Sequence, residues 1–443
     1  MTTTRNEGAE AADPARDEGT TPAGSAVGVR ETFDTAPVAP AATSSKTGSG
    51  YGQVFAVREF RPVFAAHVLS MTGSVLAQVA LSVLVYRLTG SALLTALTYA
   101  LGFLPYAIGG TVLAGVADRY AARTVLVVCD VLCVACAAVM ATPGTPVAVL
   151  LTLRFAMALV APVFSGTRAA SLADILGEGD ALILGRSLIR MVAQGAQVAG
   201  FGLGGLLLVV VGPREALMIT AVTFAGSALL LRFGTRNRPA RAPREGGPES
   251  GGGGTRRLLA NRRLRNLLVL FWIQPFFLVV PEALAAPYTD GIGAGTTGLG
   301  LFMAAMPVGT LLGELLAGTL LGPEARSRIA GPLALLSLLP YLGFAVRPSL
   351  PWAIAAMFAT GLCGAYTLGV DQWILAAIPE GMQGRAMTLM AAGLMTIQGV
   401  GMALAGAAAE FGAPHVVTAW AGLLGTVCVA LALRSARRAH GKS

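Results

Sequence analysis

Charge is scarce in this chain. Of its 443 residues only 12% are Asp, Glu, Lys or Arg, against roughly 25% in ordinary soluble domains. That deficit excludes the two or three soluble domains that the length alone would allow. Histidine is rarer still, with three scattered residues, which leaves little for a membrane-embedded enzyme that needs clustered His, Asp or Ser. The five cysteines, three of them in one apolar run, are no disulfide framework. Cys133-Val-Ala-Cys136 has CxxC spacing, but redox or zinc chemistry needs polar surroundings and further ligands, so these read as small helix-packing residues. No metal and no cofactor are expected, and no ATP-binding loop is present. The first fifty residues lack an apolar core segment; no signal peptide is expected there, and the first span must serve as the targeting signal.

What is abundant is apolar length. Hydrophobic residues make up 54%, and a bilayer core about 30 Å thick needs roughly 20 of them per helix. No charged residue interrupts 62–86, 88–117, 131–153, 191–213, 291–313, 348–370, 386–409 or 411–433. Shorter runs at 216–231, 266–281 and 329–346, with the stretch around Arg154, complete twelve expected spans. Apolar and polar residues do not alternate in them, so they predict helices rather than barrel strands. The fold class expected is an all-α polytopic membrane protein of twelve helices in two six-helix halves. The net charge of +9 points to a membrane surface and not to nucleic acid, because of its placement. With both termini inside, the outer loops carry only Arg87, Arg214 and Arg347, while nearly all other bases fall on the inner side. This positive-inside bias predicts cytoplasmic termini and a lipid bilayer as the surrounding partner.

The expected organisation is a disordered cytoplasmic tail over 1–54, six-helix bundles over 55–233 and 265–434, a cytoplasmic linker over 234–264, and a basic tail over 435–443. The linker core, GTRNRPARAPREGGPESGGGGTRRLLANR, is too rich in Arg, Pro and Gly to bury a core. Its end, Arg256 to Leu268, has the pattern of a short basic amphipathic helix. The two halves carry a faint repeat: Gly185-Arg186-Ser187 and Gly384-Arg385-Ala386 each precede a Gly-x-Gly, Gly200-Phe201-Gly202 and Gly399-Val400-Gly401, and then a span-opening Pro213 or Pro414.

Between the second and third spans stands Gly115-Val-Ala-Asp118-Arg119-Tyr-Ala-Ala-Arg123. A short inner loop with one acid and two bases can pair with neighbouring helix ends and hold one face of a transporter shut, or can serve simply as an orientation anchor. Here the chain resembles the major facilitator superfamily, whose loop in this place reads G-x-x-x-D-R-x-G-R-R. Asp118, Arg119 and Arg123 match its acid, first base and last base. Gly115 stands one residue closer, and Ala121 and Ala122 replace a Gly and an Arg. Arg154 lies within the fourth span, where a permanent cation costs at least ~2.5–3.5 kcal/mol and must face a cavity or a partner. The resemblance links an Arg there to proton coupling; structural pairing is the alternative. In the fifth span Gly200, Gly204 and Gly205 resemble the antiporter-associated G-P-x-x-G-G pattern, with Phe201 in place of the Pro, and together with Gly202 they read as helix-packing glycines. Asp174 and Pro379-Glu380-x-x-x-Gly384-Arg385 also resemble the bacterial drug, siderophore and natural-product exporter branch.

Other polar residues interrupt apolar runs. Glu314 is the preferred acid for proton coupling, about 25 Å along its helix and so in the inner half, with Asp371 next. Asp130 reads as a structural partner of inner-face bases. Gln78, Gln194, Gln197, Gln274 and Gln398 are equally compatible with interhelical hydrogen bonds and with substrate contact. Phe276 and Tyr366, with Trp272 and Trp373, fit a cavity wall or interfacial anchors. The resemblance implies a monomeric secondary transporter in the bacterial inner membrane, exporting a small amphipathic organic molecule such as an antibiotic by alternating access, with protons as the coupling ion. Proton-coupled import on the same fold, a membrane enzyme and a non-transporting sensor are the rivals.

Overall fold

The computed structural model describes residues 51–106, 108, 119–177, 180–238, 258–379 and 382–440, and Gly48–Ser443 packs as one unit. After a short helix, Tyr51–Ala56, come six helices: α1 (Phe60–Thr89), α2 (Ala92–Phe103), α3 (Ala122–Ala141), α4 (Val147–Leu176), α5 (Asp180–Val210) and α6 (Pro213–Gly234). The second six begin with α7 (Arg262–Leu278), carried on by Val280–Ala283 and Ala285–Gly291. Then follow α8 (Gly295–Leu320), α9 (Pro323–Leu336, continued by a 3-10 stretch Leu339–Val346), α10 (Leu350–Leu362 and Tyr366–Leu375), α11 (Gln383–Ala409) and α12 (Pro414–His440). Eleven of these runs are long and apolar enough to cross a membrane; the twelfth, α2, is described as a shorter apolar helix, and 109–118 beyond it lie outside the described residues.

Prolines set many of the boundaries. Pro213 and Pro414 open α6 and α12 at the first helical position, where a missing N–H costs nothing. In the α7 run Pro275, Pro281 and Pro287 each remove a ladder donor, and the helix is correspondingly broken into three pieces. Within the bundles α1 and α3 pack on α6, and α8 packs on α10 through Gly309 and Gly313 against the Phe358 and Leu362 backbone. A side chain at either glycine would collide with that backbone, so the close crossing requires both.

With twelve antiparallel spans, the start of α1, the end of α6, the start of α7 and the end of α12 share one end of the bundle, here called the linker face; the opposite end is the far face. Two seams join the halves, α5 with α8 and α2 with α11. In the first, Gly205 meets Gly300 backbone to backbone and Gly202 faces Ala304. In the second, Gly406 meets Ala96 and Leu93, and Gly399 meets Leu104. These contacts run from mid-bundle to the far face. Among the described residues, these seams hold the halves together at the far face.

Candidate functional site

Polar side chains from both halves form a layer below the far-face contacts. Gln78, about 27 Å along α1 from its linker-face end, donates from Nε2 to Glu282 Oε1 at 3.3 Å. Glu282 stands just past the α7 break and is half-buried. Beside it Tyr99 of α2 is fully buried and donates to Ser82 Oγ at 3.1 Å, with Met303 Sδ of α8 at 3.5 Å. Arg154 completes the layer from α4. It is only 9% exposed, and its Nε donates to Thr98 O at 3.3 Å. Its guanidinium fills the space a Cβ on Gly102 would need. The layer thus holds one half-buried carboxylate and one buried cation.

Glu282 is the acidic member of this layer, one that its sequence position does not single out. It follows Val-Val-Pro at the end of the 266–281 run and reads there as a loop flank. The signal available was the apolar Ala283-Leu-Ala-Ala-Pro beyond it, which carries the span onward to Asp290.

The three residues assigned to proton coupling are not brought together. Arg154 lies about 10 Å from the far end of α4, whereas Glu314 lies about 9 Å from the linker end of α8. Glu314 is half-buried just after the Gly309–Gly313 crossing, and Asp371, near the linker end of α10, is exposed. Of the residues assigned to the cavity, Gln274 is corrected outright: it is fully buried inside the second half and donates to Ser337 Oγ at 2.6 Å. Tyr366 is also buried, within electrostatic range of Asp371 and Glu314. Phe276 is half-buried and meets Phe277 edge-on at 4.9 Å. Gln194 and Gln398 are half-buried and Gln197 is exposed. The four glycines of α5 divide by direction: Gly200 and Gly204 face Val75 and Leu76 of α1, Gly202 and Gly205 face α8. In α11, Gly401 likewise faces its own half at Phe276 while Gly399 faces α2.

Of the gate loop, Gly115 and Asp118 lie outside the described residues, and Arg119 is exposed. Arg123 donates to Thr235 O at 3.4 Å, capping the end of α6 within its own half. Arg326 does the same for α8, donating to Ala317 O at 3.1 Å and Gly318 O at 2.6 Å. Glu59 and Arg238 form a two-point pair at 2.6 and 2.8 Å that ties the start of the linker to the start of α1. Hydrogen bonds from Arg238 hold the Glu59 carboxyl below its ordinary pKa.

Two buried polar contacts lie nearer the linker face. Asp130 accepts from Ser227 Oγ at 2.6 Å, pairing α3 with α6, and lies within electrostatic range of Arg168 on the linker side of α4. His67 lies between Arg168 Nη1 at 2.7 Å and Ile189 O at 3.1 Å. Arginine only donates, so Nδ1 accepts, Nε2 carries the proton, and the imidazole is neutral.

At the far face Glu410, at the end of α11, accepts from Ser91 Oγ at 2.6 Å and from Leu93 N at 2.9 Å. One half thereby supplies a capping carboxylate to the first turn of α2 in the other. A cleft of about 310 Å³ opens nearby, between Tyr86 and Arg87 of α1 and Thr289, Asp290 and Thr296.

This architecture has known counterparts. The POT family transporter PepTSo superposes with a TM-score of 0.69 at 11% identity, covering 87% of this chain and 99% of that one. A bacterial homologue of the human lysosomal transporter Spinster, inward-facing and unoccupied, gives 0.64 at 16% over 86% and 97%. The nucleoside transporter NupG gives 0.64 at 14% over 84% and 99%. No curated protein matches the sequence significantly. The sequence itself matches the Major Facilitator Superfamily over residues 63–321, more than half its length, and the chain belongs to that superfamily of transporters.

Proposed function

We propose that this chain is a proton-coupled exporter of a small amphipathic organic molecule, working by alternating access in a bacterial inner membrane with both termini and the linker cytoplasmic. The observation that carries the reading is the Gln78–Glu282 contact, which places a carboxylate within the membrane-spanning region at the meeting of the two halves, below the far-face seams. A carrier needs a site that each face reaches in turn, with a group there whose protonation differs between the two states. Glu282 has that position, and it replaces Glu314 and Asp371 as the coupling acid. Arg154, behind Tyr99, sets the field of the layer.

Orientation rests on the positive-inside bias, under which the linker face is cytoplasmic. Export rests on the resemblance of the α5 glycines and the Asp174 and Gly384-Arg385 motifs to exporters. Import has one observation in its favour, since structures of proton dependent oligopeptide transporters share the fold at a TM-score of 0.63.

Proteoliposomes with an imposed pH gradient test the reading. A panel of amphipathic compounds should include members that accumulate against the direction of proton flow, and a protonophore should abolish this. Accumulation along the direction of proton flow establishes import instead. Transport indifferent to the gradient removes proton coupling.

A further inference from the structure

We propose that the far-face cleft between the halves is a regulatory site for a small zwitterion, of the class of a free apolar α-amino acid, and that the bound zwitterion clamps the far face shut. The inference goes beyond the transport reading and is independent of its coupling ion and direction.

The cleft encloses about 310 Å³, at the small end of the ~300–1,000 Å³ of ligand sites. One wall is the last turn of α1, with Tyr86 and Arg87. The other is the Ala285–Gly291 helix and the start of α8, with Asp290 and Thr296. All its lining residues fall among the described ones. Arg87 and Asp290 are both exposed and form no ion pair with each other. The Tyr86 phenol stands beside the Asp290 carboxylate, and the buried Val83 and Leu299 add apolar surface. Backbone bonds close the helix ends that carry the two charges: Gly90 N donates to Tyr86 O at 2.8 Å, and Gly293 N to Asp290 O at 2.9 Å. A guanidinium and a carboxylate are thus held on walls that belong to different halves.

A ligand that fits must offer a negative group to Arg87, a positive one to Asp290 and an apolar part to Val83 and Leu299. An α-amino acid with an apolar side chain has all three. Its carboxylate meets the guanidinium as a two-point partner, and its ammonium takes the lone pairs of Asp290. A singly charged molecule of the same shape satisfies one wall and leaves the other.

Because the two charges sit on different halves, the ligand gains both contacts only while the far face is shut. Binding to one state alone shifts the balance by the factor 1 + [L]/Kd, about 100-fold at a ligand concentration of 100 Kd. Under the positive-inside orientation the cleft faces the cell exterior. An external zwitterion would therefore hold the carrier with its far side shut and slow its cycle.

The test uses three probes of one shape: L-leucine, 4-methylpentanoate, which lacks its ammonium, and 3-methylbutylamine, which lacks its carboxylate. Calorimetry on the full-length protein in lipid nanodiscs reads binding, and spin labels across the far face read the state. Leucine should bind wild type roughly tenfold or more tighter than either half-molecule, since each charged contact contributes at least that factor, and should enlarge the share of short far-face distances. Arg87→Gln should weaken leucine by a similar factor and leave 3-methylbutylamine unchanged; Asp290→Asn should weaken leucine and spare 4-methylpentanoate instead. No leucine binding, equal binding of either half-molecule, or distances unmoved by leucine overturns the proposal. So does leucine affinity unchanged in both variants, the result expected if leucine binds at the Gln78–Glu282 layer instead. The comparison of probes on wild type stands even where a variant misfolds.

Discussion

Gln78 and Gln274 carry the same amide into the bilayer and meet different surroundings. Gln78 reaches across to Glu282 in the other half, whereas Gln274 is enclosed among its own helices with its Oε1 unpartnered. Replacing Gln274 by Leu removes that orphaned acceptor and leaves Ser337 still donating to Ala334 O. The change should therefore alter stability by less than about 1 kcal/mol and leave transport as in wild type, read by thermal unfolding and vesicle flux. Glu59 supports a pH prediction. Its pKa is depressed by Arg238, so its contribution is complete above the ordinary glutamate value, about 4.3, and is lost as pH falls through the lowered one. The unfolding midpoints of wild type and Glu59→Gln should differ at pH 7, by no more than the ~1 kcal/mol of a partly exposed pair, and converge as pH falls below the ordinary glutamate range. Single residues were the least legible level of the sequence. Arg154 stood out because a base within an apolar run is anomalous wherever it lies. Gln274 and Gln398 look alike in sequence, and only the neighbouring helices distinguish a packed amide from an open one.

Helix ends do much of the joining in this molecule. Glu410 caps α2 from the opposite half through Ser91 Oγ and Leu93 N, and that contact exists only while the far face is shut. A capping side chain contributes ~0.5–2 kcal/mol. Glu410→Ala should thus favour the far-open state, and spin labels placed across the far face should show a larger share of long distances than in wild type. An unchanged distance distribution would reduce the contact to local packing. The same bonds hold the Glu410 carboxyl below its usual pKa, so acid on the far side should act in the same direction, beginning only below the ordinary glutamate range. The elements themselves were largely readable: Pro213 and Pro414 open the helices they were expected to open. The division of the α7 run into three pieces is not legible in its prolines, because spacing shows where a donor is missing but not whether the chain bends there. Nor does the sequence show that Arg123 caps α6, since the carbonyl it meets at Thr235 lies far along the chain.

At the scale of the whole molecule, the charge-free runs sufficed for an all-helical two-half bundle, because a bilayer forces backbone polar groups into helices. They could not show which face would be closed, for a carrier's two states share every helix and differ only in how the halves lean. The topology remains open to a direct check: a cysteine at Ser250 should escape an impermeant maleimide in intact cells and react once the membrane is opened. Labelling from outside would invert the bundle. The meeting of Gly205 with Gly300 has a mechanical corollary. With no side chain on either, closure ends where two backbones touch, so the far-shut state has a hard stop rather than a cushion. A single methyl at Gly300, as in Gly300→Ala, is then a shim that strains one end of the stroke and leaves the other alone. At the ~1–3 kcal/mol typical of overpacking, it would tilt the balance of states roughly 5- to 150-fold, turning a two-way carrier into one that idles with its far side ajar.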